Sequence, residues 1–136
     1  MRTELLEVAT GTSETVLNLT PQCQKFVTDV ANGGDGLLHV FVPHATAGLA
    51  ILEIGSYSDA DLLATLAELL PADNRWRHAH GSPGHGRTHV MPAFITPFAT
   101  VPVVGGSIAL GTWQSIVLVD INRDNPHRNV RLSFLS

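Results

Sequence analysis

The chain has 136 residues, 44% of them apolar and 15% charged, and a formal net charge of −4 at pH 7. These values fit one globular domain, residues 1–136, that folds without disulfides or a structural metal. Eight scattered basic residues argue against a nucleic-acid surface, and no apolar run reaches the length of a membrane span. The lone Cys23 and the absence of a signal-peptide pattern at the start favour the cytoplasm.

The first third of the chain predicts two short strands and a helix. The β-prone runs 5–8 and 15–19 are separated by a Gly-Thr-Ser turn cluster at 11–13. Thr20 is predicted to cap the helix and Pro21 to occupy its first position. The Asn-Gly-Gly sequence at 32–34 is predicted to end it.

The middle of the chain predicts two strands, a second helix and a loop. The strands are residues 36–42 and 48–52, and leucines recur at helical spacing from Ser58 until Pro71 ends the pattern. The following residues 74–87 are polar and rich in Gly and His. A loop of that length inside a compact domain is usually functional or mobile.

The C-terminal part predicts strands joined by short turns. Residues 100–104 and 107–110 flank Gly105-Gly106, which is a strong hairpin signal. Two further strands are predicted within 113–121 and 130–135. Because strands outnumber helices and several are linked as hairpins, the sequence favours an antiparallel α+β fold over a parallel one.

Histidines carry the clearest chemical signal. The chain has seven, and four of them crowd the polar loop and its exit, at positions 78, 80, 85 and 89. His44 follows a buried strand, where a side chain can be aimed from a rigid base. Neutral imidazole is the commonest zinc ligand, and three of them leave one coordination position open. We therefore expect His44, His78 and His89 to share one site; the alternative is that the loop histidines are merely solvated.

The other histidines receive simpler interpretations. His80 and His85 are each predicted to face solvent or to support a ligand from behind. His39, within a strand, and His127, in a polar turn, are predicted to have no role in the site.

Carboxylates could assist these imidazoles. Glu53 at a strand end is either a surface residue or a general base that orients a histidine. Asp61 has the position of a first-turn helix residue, which is its simpler interpretation. Asp120, inside an apolar strand, is predicted to pair with Arg128 from the next strand.

Three further residues have side chains that could bind or react. Trp113 begins a strand and is predicted to lie in the core, whereas the neighbouring Gln114 could present its amide to a polar ligand. Cys23 has only Lys25 as a basic neighbour and is predicted to be a buried structural thiol rather than a nucleophile.

The segment HATAGLAILE, from His44 to Glu53, resembles the HxTAGLxxxE signature of the YjbQ-like family, often labelled secondary thiamine-phosphate synthase. Asp61, His78 and His89 follow in the order of that family. The LGTWQ block at 110–114 and Arg128 resemble its C-terminal part. The two blocks together are specific, and the resemblance runs from about Gly36 to the C-terminus.

The resemblance implies an α+β fold with an antiparallel β-sandwich and two main helices, assembled as a homotrimer. It also implies a histidine-lined pocket near a subunit boundary that holds a divalent metal, with zinc first. The residues it assigns are His44, His78 and His89 as metal ligands, Glu53, Asp61, Gln114 and Arg128 as catalytic residues, and Thr46 and Trp113 as cofactor-binding residues.

The function implied is metal-assisted chemistry on a small phosphorylated metabolite, with thiamine-phosphate synthesis as a side activity. The alternative is a non-catalytic module that binds an anion or phosphorylated metabolite in the same pocket. The chain departs from the family pattern at Ala45, at Leu52, in the 81–85 loop and at Met91-Pro92. The identity of the substrate therefore does not transfer with the resemblance.

Overall fold

Eight antiparallel strands and two helices form the fold in the computed structural model, which describes residues 1–136. The elements are β1 (Arg2–Ala9), β2 (Thr15–Asn18), α1 (Thr20–Ala31), β3 (Gly36–Phe41), β4 (Ala47–Leu52), α2 (Ser58–Leu69), two 3₁₀ turns (His85–His89 and Met91–Ala93), β5 (Phe98–Val104), β6 (Ser107–Ile108), β7 (Ser115–Asp120) and β8 (His127–Leu135). One sheet has the order β1-β8-β3-β5-β6 and the other β2-β7-β4. The predicted α+β fold with an antiparallel sandwich and two main helices is confirmed.

The main core lies between the two sheets and is closed by α1. The buried face of α1 carries Cys23, Phe26 and Val27. Inward side chains of both sheets complete this core; among them are Leu38, Val40, Val101, Val130, Leu132, Ile116 and Leu118. Burial raises the pKa of the Cys23 thiol to about 12, in agreement with the structural role predicted for it.

A smaller core covers the other face of β7. Val117 and Val119 point away from the main core and pack with Leu66 of α2 and Met91 of the second 3₁₀ turn. Because β7 is buried on both faces, its sequence is apolar without alternation. This second core holds the chain that follows α2 against the three-stranded sheet.

Two local predictions were wrong. Thr20 does not cap α1: Leu19 precedes the helix, and the Thr20 hydroxyl instead accepts a hydrogen bond from the Ile116 backbone N–H at 2.9 Å. The hydroxyl therefore ties the helix to β7. Trp113 was expected in the core, but it is 74% exposed, because it lies in a turn before β7 begins. No helix has the length and apolar character needed to cross a membrane.

Candidate functional site

Four histidines come together in the segment 78–89. One ring nitrogen from each of His78, His80 and His89 lies within 4.8 Å of the other two. The rings of His78 and His89 stack with centroids 3.8 Å apart, and the Nε2 atoms of His78 and His80 face each other in direct contact. The fourth ring, that of His85, has its Nε2 atom 3.0 Å from Nε2 of His89.

A 3₁₀ turn and a glycine bring these rings together. The turn His85–His89 directs its two terminal imidazoles toward each other. A Cβ atom added at Gly86 would lie 2.4 Å from the His78 carbonyl oxygen and 2.5 Å from Cβ of Trp76. Only glycine therefore allows the His78 segment to pack directly on the turn. The Trp76 indole N–H donates to the Pro71 carbonyl at 2.8 Å and fixes the start of this segment.

The electrostatics of the cluster keep an imidazole neutral and therefore available as a ligand. Partial burial lowers the pKa of His89, and the neighbouring imidazoles of His78, His85 and His80 lower it further. Metal ions bind the neutral form of histidine. His89 is therefore the imidazole of the cluster that is best kept neutral for a metal ion.

An aspartate supports the cluster from the side of His85. The Asp124 carboxylate lies 3.0 Å from Nδ1 of the buried His85, at ion-pair distance although without the alignment of a hydrogen bond. Hydrogen bonds from Ser82 and the nearby imidazoles of His85 and His80 lower the pKa of Asp124. The lowered pKa keeps the Asp124 carboxylate ionised beside the His85 ring.

The donor set fits zinc. On a tetrahedral zinc ion with Zn–N distances of about 2.0–2.1 Å, ligand nitrogens lie about 3.3 Å apart. The nitrogens of His78, His80 and His89 already lie within 4.8 Å of one another, so small ring rotations suffice to share one ion. Three imidazoles without a thiolate are the set typical of a zinc site with an open fourth position.

Within one chain, the structure does not bring His44 to the loop histidines. Its Nε2 atom accepts a hydrogen bond from the Asn129 backbone N–H at 2.9 Å. Burial and the Arg128 guanidinium both lower the pKa of His44. With its ring nitrogen occupied and a cation beside it, His44 is tied to β8 instead of the loop histidines.

Arg128 and Thr46 belong to a buried polar network. Arg128 binds the Asp120 carboxylate through Nε at 2.6 Å and Nη2 at 3.2 Å, which is the ion pair that the sequence predicted. The Thr46 hydroxyl accepts from Arg128 Nη2 at 2.8 Å and from Asn122 Nδ2 at 2.9 Å. These groups satisfy one another inside the fold, so the structure does not present Arg128 as a free cation or Thr46 as a free ligand group.

The remaining residues assigned by the resemblance lie outside the cluster. Glu53 is exposed directly after β4, and Asp61 is an exposed first-turn residue of α2, as local physics favoured. Gln114 accepts a hydrogen bond from the Gly111 backbone N–H at 2.8 Å, and Trp113 beside it faces solvent. Within one chain, the structure does not bring these side chains to the histidines.

His80 and His85 were predicted from the sequence to face solvent or to support a ligand from behind, and Asp124 was not considered for the site. Two spacings could have indicated the two histidines, because His78 and His80 are separated by one residue and His85 and His89 by three. Residues so close in the chain can bring two imidazoles to one place, as His85 and His89 do in their 3₁₀ turn. No local pattern marked Asp124, whose contact with His85 is made only by folding.

Comparison with known proteins gives a consistent result. The family model described as "UPF0047 protein YjbQ-like" matches residues 4–136. The UPF0047 protein Rv2556c of Mycobacterium tuberculosis is 57% identical over 135 residues, which are 99% of this chain and 98% of that protein. A YbjQ-like protein of unknown function from Sulfolobus solfataricus shares the fold, with a TM-score of 0.91 at 23% identity over 99% of this chain and 96% of that one. The hypothetical protein APE1520 of Aeropyrum pernix gives a TM-score of 0.88 at 33% identity over 100% and 99% of the two chains.

Proposed function

The chain belongs to the UPF0047 YjbQ-like family, and from that premise we propose that its histidine cluster binds a divalent metal, zinc in first place, for chemistry on a small phosphorylated metabolite. The observation that carries the proposal is the convergence of ring nitrogens from His78, His80 and His89 within 4.8 Å. Three imidazole nitrogens in one small space are the donor set of a zinc site with an open fourth position.

The four histidines have different roles in this proposal. His78, His80 and His89 would hold the ion and leave its fourth position open. A bound zinc ion supplies a Lewis acid that polarises a phosphoryl oxygen. His85 has Asp124 against its Nδ1 atom and Nε2 of His89 opposite its own Nε2 atom. Once the ion takes the His89 nitrogen, Nε2 of His85 would be free to accept a proton at the edge of the site. The exposure of His78 and His80 leaves the cluster open to a small molecule.

The reaction class follows from the family resemblance and from this arrangement together. We place the activity in the cytoplasm, on the strength of the single buried thiol. Joining a pyrimidine pyrophosphate to a thiazole phosphate is the first reaction to assay, as a side activity. The second candidate is a binding module without turnover. It is favoured because neither Arg128, which is paired inside the fold, nor Glu53, which lies at the surface, reaches the cluster as a catalytic group.

Self-association as a homotrimer is a further part of the proposal. The outward face of the five-stranded sheet carries apolar side chains in adjacent register, since Phe41 pairs with Phe98 and Leu37 with Leu135. These four side chains are between 39% and 50% exposed. Contiguous apolar surface of this kind is typical of subunit contacts. Light scattering would give a mass of three chains for the wild type and a lower mass for Phe98→Glu.

Metal binding is tested by titrating zinc into protein stripped with a chelator. We expect one strong site per chain and a loss of about tenfold or more in affinity for His78→Ala, His80→Ala and His89→Ala. His127→Ala is the matched control, because this histidine is exposed on β8 and lies outside the cluster. His44→Ala separates the two histidine regions and should retain zinc.

The result that rejects the proposal is zinc binding that is equally strong in the three cluster variants and the control. Turnover separates the two candidate functions. An enzyme converts a phosphorylated substrate and loses activity in His85→Gln while zinc stays bound. A binding module is stabilised by the ligand in wild type and variant alike without any product.

A further inference from the structure

Beside the histidine cluster, one buried arginine lacks partners for its outer edge. Arg87 is 4% exposed and stands between His85 and His89 in the first 3₁₀ turn. Its Nη1 atom donates to the Glu14 carboxylate at 2.9 Å. Its Nε and Nη2 atoms are shielded from solvent and have no hydrogen-bond partner. A buried charged donor left unpaired is costly, so these two nitrogen atoms favour the approach of an acceptor.

Nε and Nη2 together form the edge with which an arginine binds an oxyanion. Nε–H and Nη2–H point in parallel and bind two oxygens of a carboxylate or phosphate at once. The other two well-paired arginines use this same edge: Arg128 holds Asp120 and Arg75 holds Asp73 through Nε and Nη2. Arg87 alone of these three presents it without an acceptor. A single water accepts at most two hydrogen bonds and brings no negative charge.

A cleft of about 330 Å³ lies against this arginine. Its lining includes Arg87, Thr88, Arg123 and His85. Arg123 lies 3.6 Å from the same Glu14 oxygen that Arg87 binds, so two guanidinium groups share one carboxylate. Asp124, which contacts His85 and Ser82 of the same cleft, is a second carboxylate beside it. An anion is therefore favoured by the unpaired donors of Arg87 and not by an excess of positive charge.

We propose that this cleft is a phosphate-binding pocket in which Arg87 and Arg123 supply the positive charges, and that entry of the ligand uncovers the shielded Nε/Nη2 edge of Arg87 so that it receives two phosphoryl oxygens. His85 lines both this cleft and the neighbouring one, of about 230 Å³, which also contains His78 and His80. A phosphorylated molecule held by Arg87 thus extends past His85 toward the imidazoles. In assigning the phosphate to the substrate this inference rests on the proposed function; phosphate binding itself needs no metal.

The test is a titration of inorganic phosphate into chelator-treated protein at constant ionic strength, followed by calorimetry. We expect saturable binding in the wild type that weakens about tenfold or more in Arg87→Met, because a bidentate charged contact is lost. Arg87→Lys should restore part of the affinity, since lysine supplies the charge but not the parallel donors. Arg75→Met is the matched control and should bind as the wild type does, because Arg75 is exposed and paired with Asp73.

Several outcomes would overturn the inference. They are the absence of saturable phosphate binding in the wild type, unchanged affinity in a folded Arg87→Met, and acetate binding tighter than phosphate. If Arg87→Met does not fold by circular dichroism, Arg123→Met decides instead. Its side chain is 64% exposed, and we expect phosphate to bind about two- to threefold more weakly; unchanged affinity in Arg123→Met and Arg87→Lys would then reject the pocket.

Zinc titrations on the same variants separate this inference from the proposed function. Arg87→Met that keeps zinc but loses phosphate supports the pocket, because the arginine is not a metal ligand. A wild-type protein that binds phosphate but no zinc leaves the pocket standing and removes the metal centre. A wild-type protein that binds zinc but no phosphate rejects the pocket and leaves the metal centre standing.

Discussion

Arg128 and Arg87 are both buried arginines, and the regions around them differ in how far their hydrogen bonds are completed. Arg128 donates to both oxygens of Asp120 and to Thr46. Arg87 has one carboxylate contact, to Glu14, and two buried nitrogen atoms without acceptors. The first region is joined to strands of both sheets, whereas the second belongs to a connecting segment with two short 3₁₀ turns.

The difference shows which polar groups serve the fold and which are available for a ligand. In the network of Asp120, Arg128, Thr46 and Asn122, each charged group has a partner from the chain itself. In the segment 78–89, the imidazoles and Arg87 direct polar atoms at each other or at a cleft. A buried polar group that the fold leaves incomplete is the better candidate for binding, even when a family resemblance assigns the role to a complete one.

Breaking the completed network should have the largest effect on stability. Asp120→Ala leaves the buried Arg128 guanidinium without its counterion, so we expect the free energy of unfolding to fall by about 3–5 kcal/mol. Urea unfolding followed by fluorescence measures this change. Asp29→Ala removes the exposed partner of Lys25 and serves as the control, with an unchanged midpoint. A loss below about 1 kcal/mol in Asp120→Ala would contradict the structural role given to this network.

A substitution in segment 78–89 should lower the free energy of unfolding less than Asp120→Ala does, and it should weaken zinc binding. In Gly86→Ala the new Cβ meets the His78 carbonyl and Trp76, so we expect overpacking to destabilise the protein by about 1–3 kcal/mol. Zinc affinity should fall about tenfold, because His78 is pushed away from the turn that carries His89. Gly111→Ala is the control, since its Cβ meets only the flexible Gln114 side chain at 3.1 Å. Zinc affinity that survives Gly86→Ala would show that the close packing of this turn is unimportant.

The smallest expected effect is a pH dependence that both regions share. The pKa values of His44 and His89 are lowered in the folded protein. Below the ordinary histidine pKa of about 6.5, the unfolded chain therefore binds more protons than the folded protein does. The free energy of unfolding consequently decreases as the pH is lowered through the window beneath that value. In metal-free protein, His89→Gln and His44→Gln should each flatten this fall. Saturating zinc should steepen the part of this fall that is due to His89, because the bound ion keeps its imidazole deprotonated in the folded state, and should leave the part due to His44 unchanged. A fall that zinc does not change would mean that His89 is not a ligand.

Much of the fold could be predicted because it depends on local patterns. The turn glycines at 105 and 106, the leucine spacing of α2 and the apolar run of β7 each mark an element directly in the sequence. The pairing of Asp120 with Arg128 was also predictable, because a lone charge in an apolar strand must be neutralised nearby. Interactions between residues close in the sequence are therefore enough to predict these elements.

The site was less predictable because folding, and not spacing, selects its members. His44 matches a strong motif, but its ring turns to Asn129 of β8, and no local rule sets that direction. Arg87 meets Glu14, which is 73 positions away in the chain, and His85 meets Asp124. An arginine in a polar loop normally lies in solvent, so nothing in the sequence indicated that this one is buried.

The position of β8 has a consequence for how the protein reaches its native state. This strand lies between β1 and β3, pairing Arg2 with Phe134 on one side and Leu37 with Leu135 on the other. During synthesis on the ribosome, β1 and the β1-facing edge of β3 therefore stay unpaired until the segment from His127 onward has emerged. Contacts of such long sequence separation slow folding, and in the meantime two open strand edges are exposed to other nascent chains.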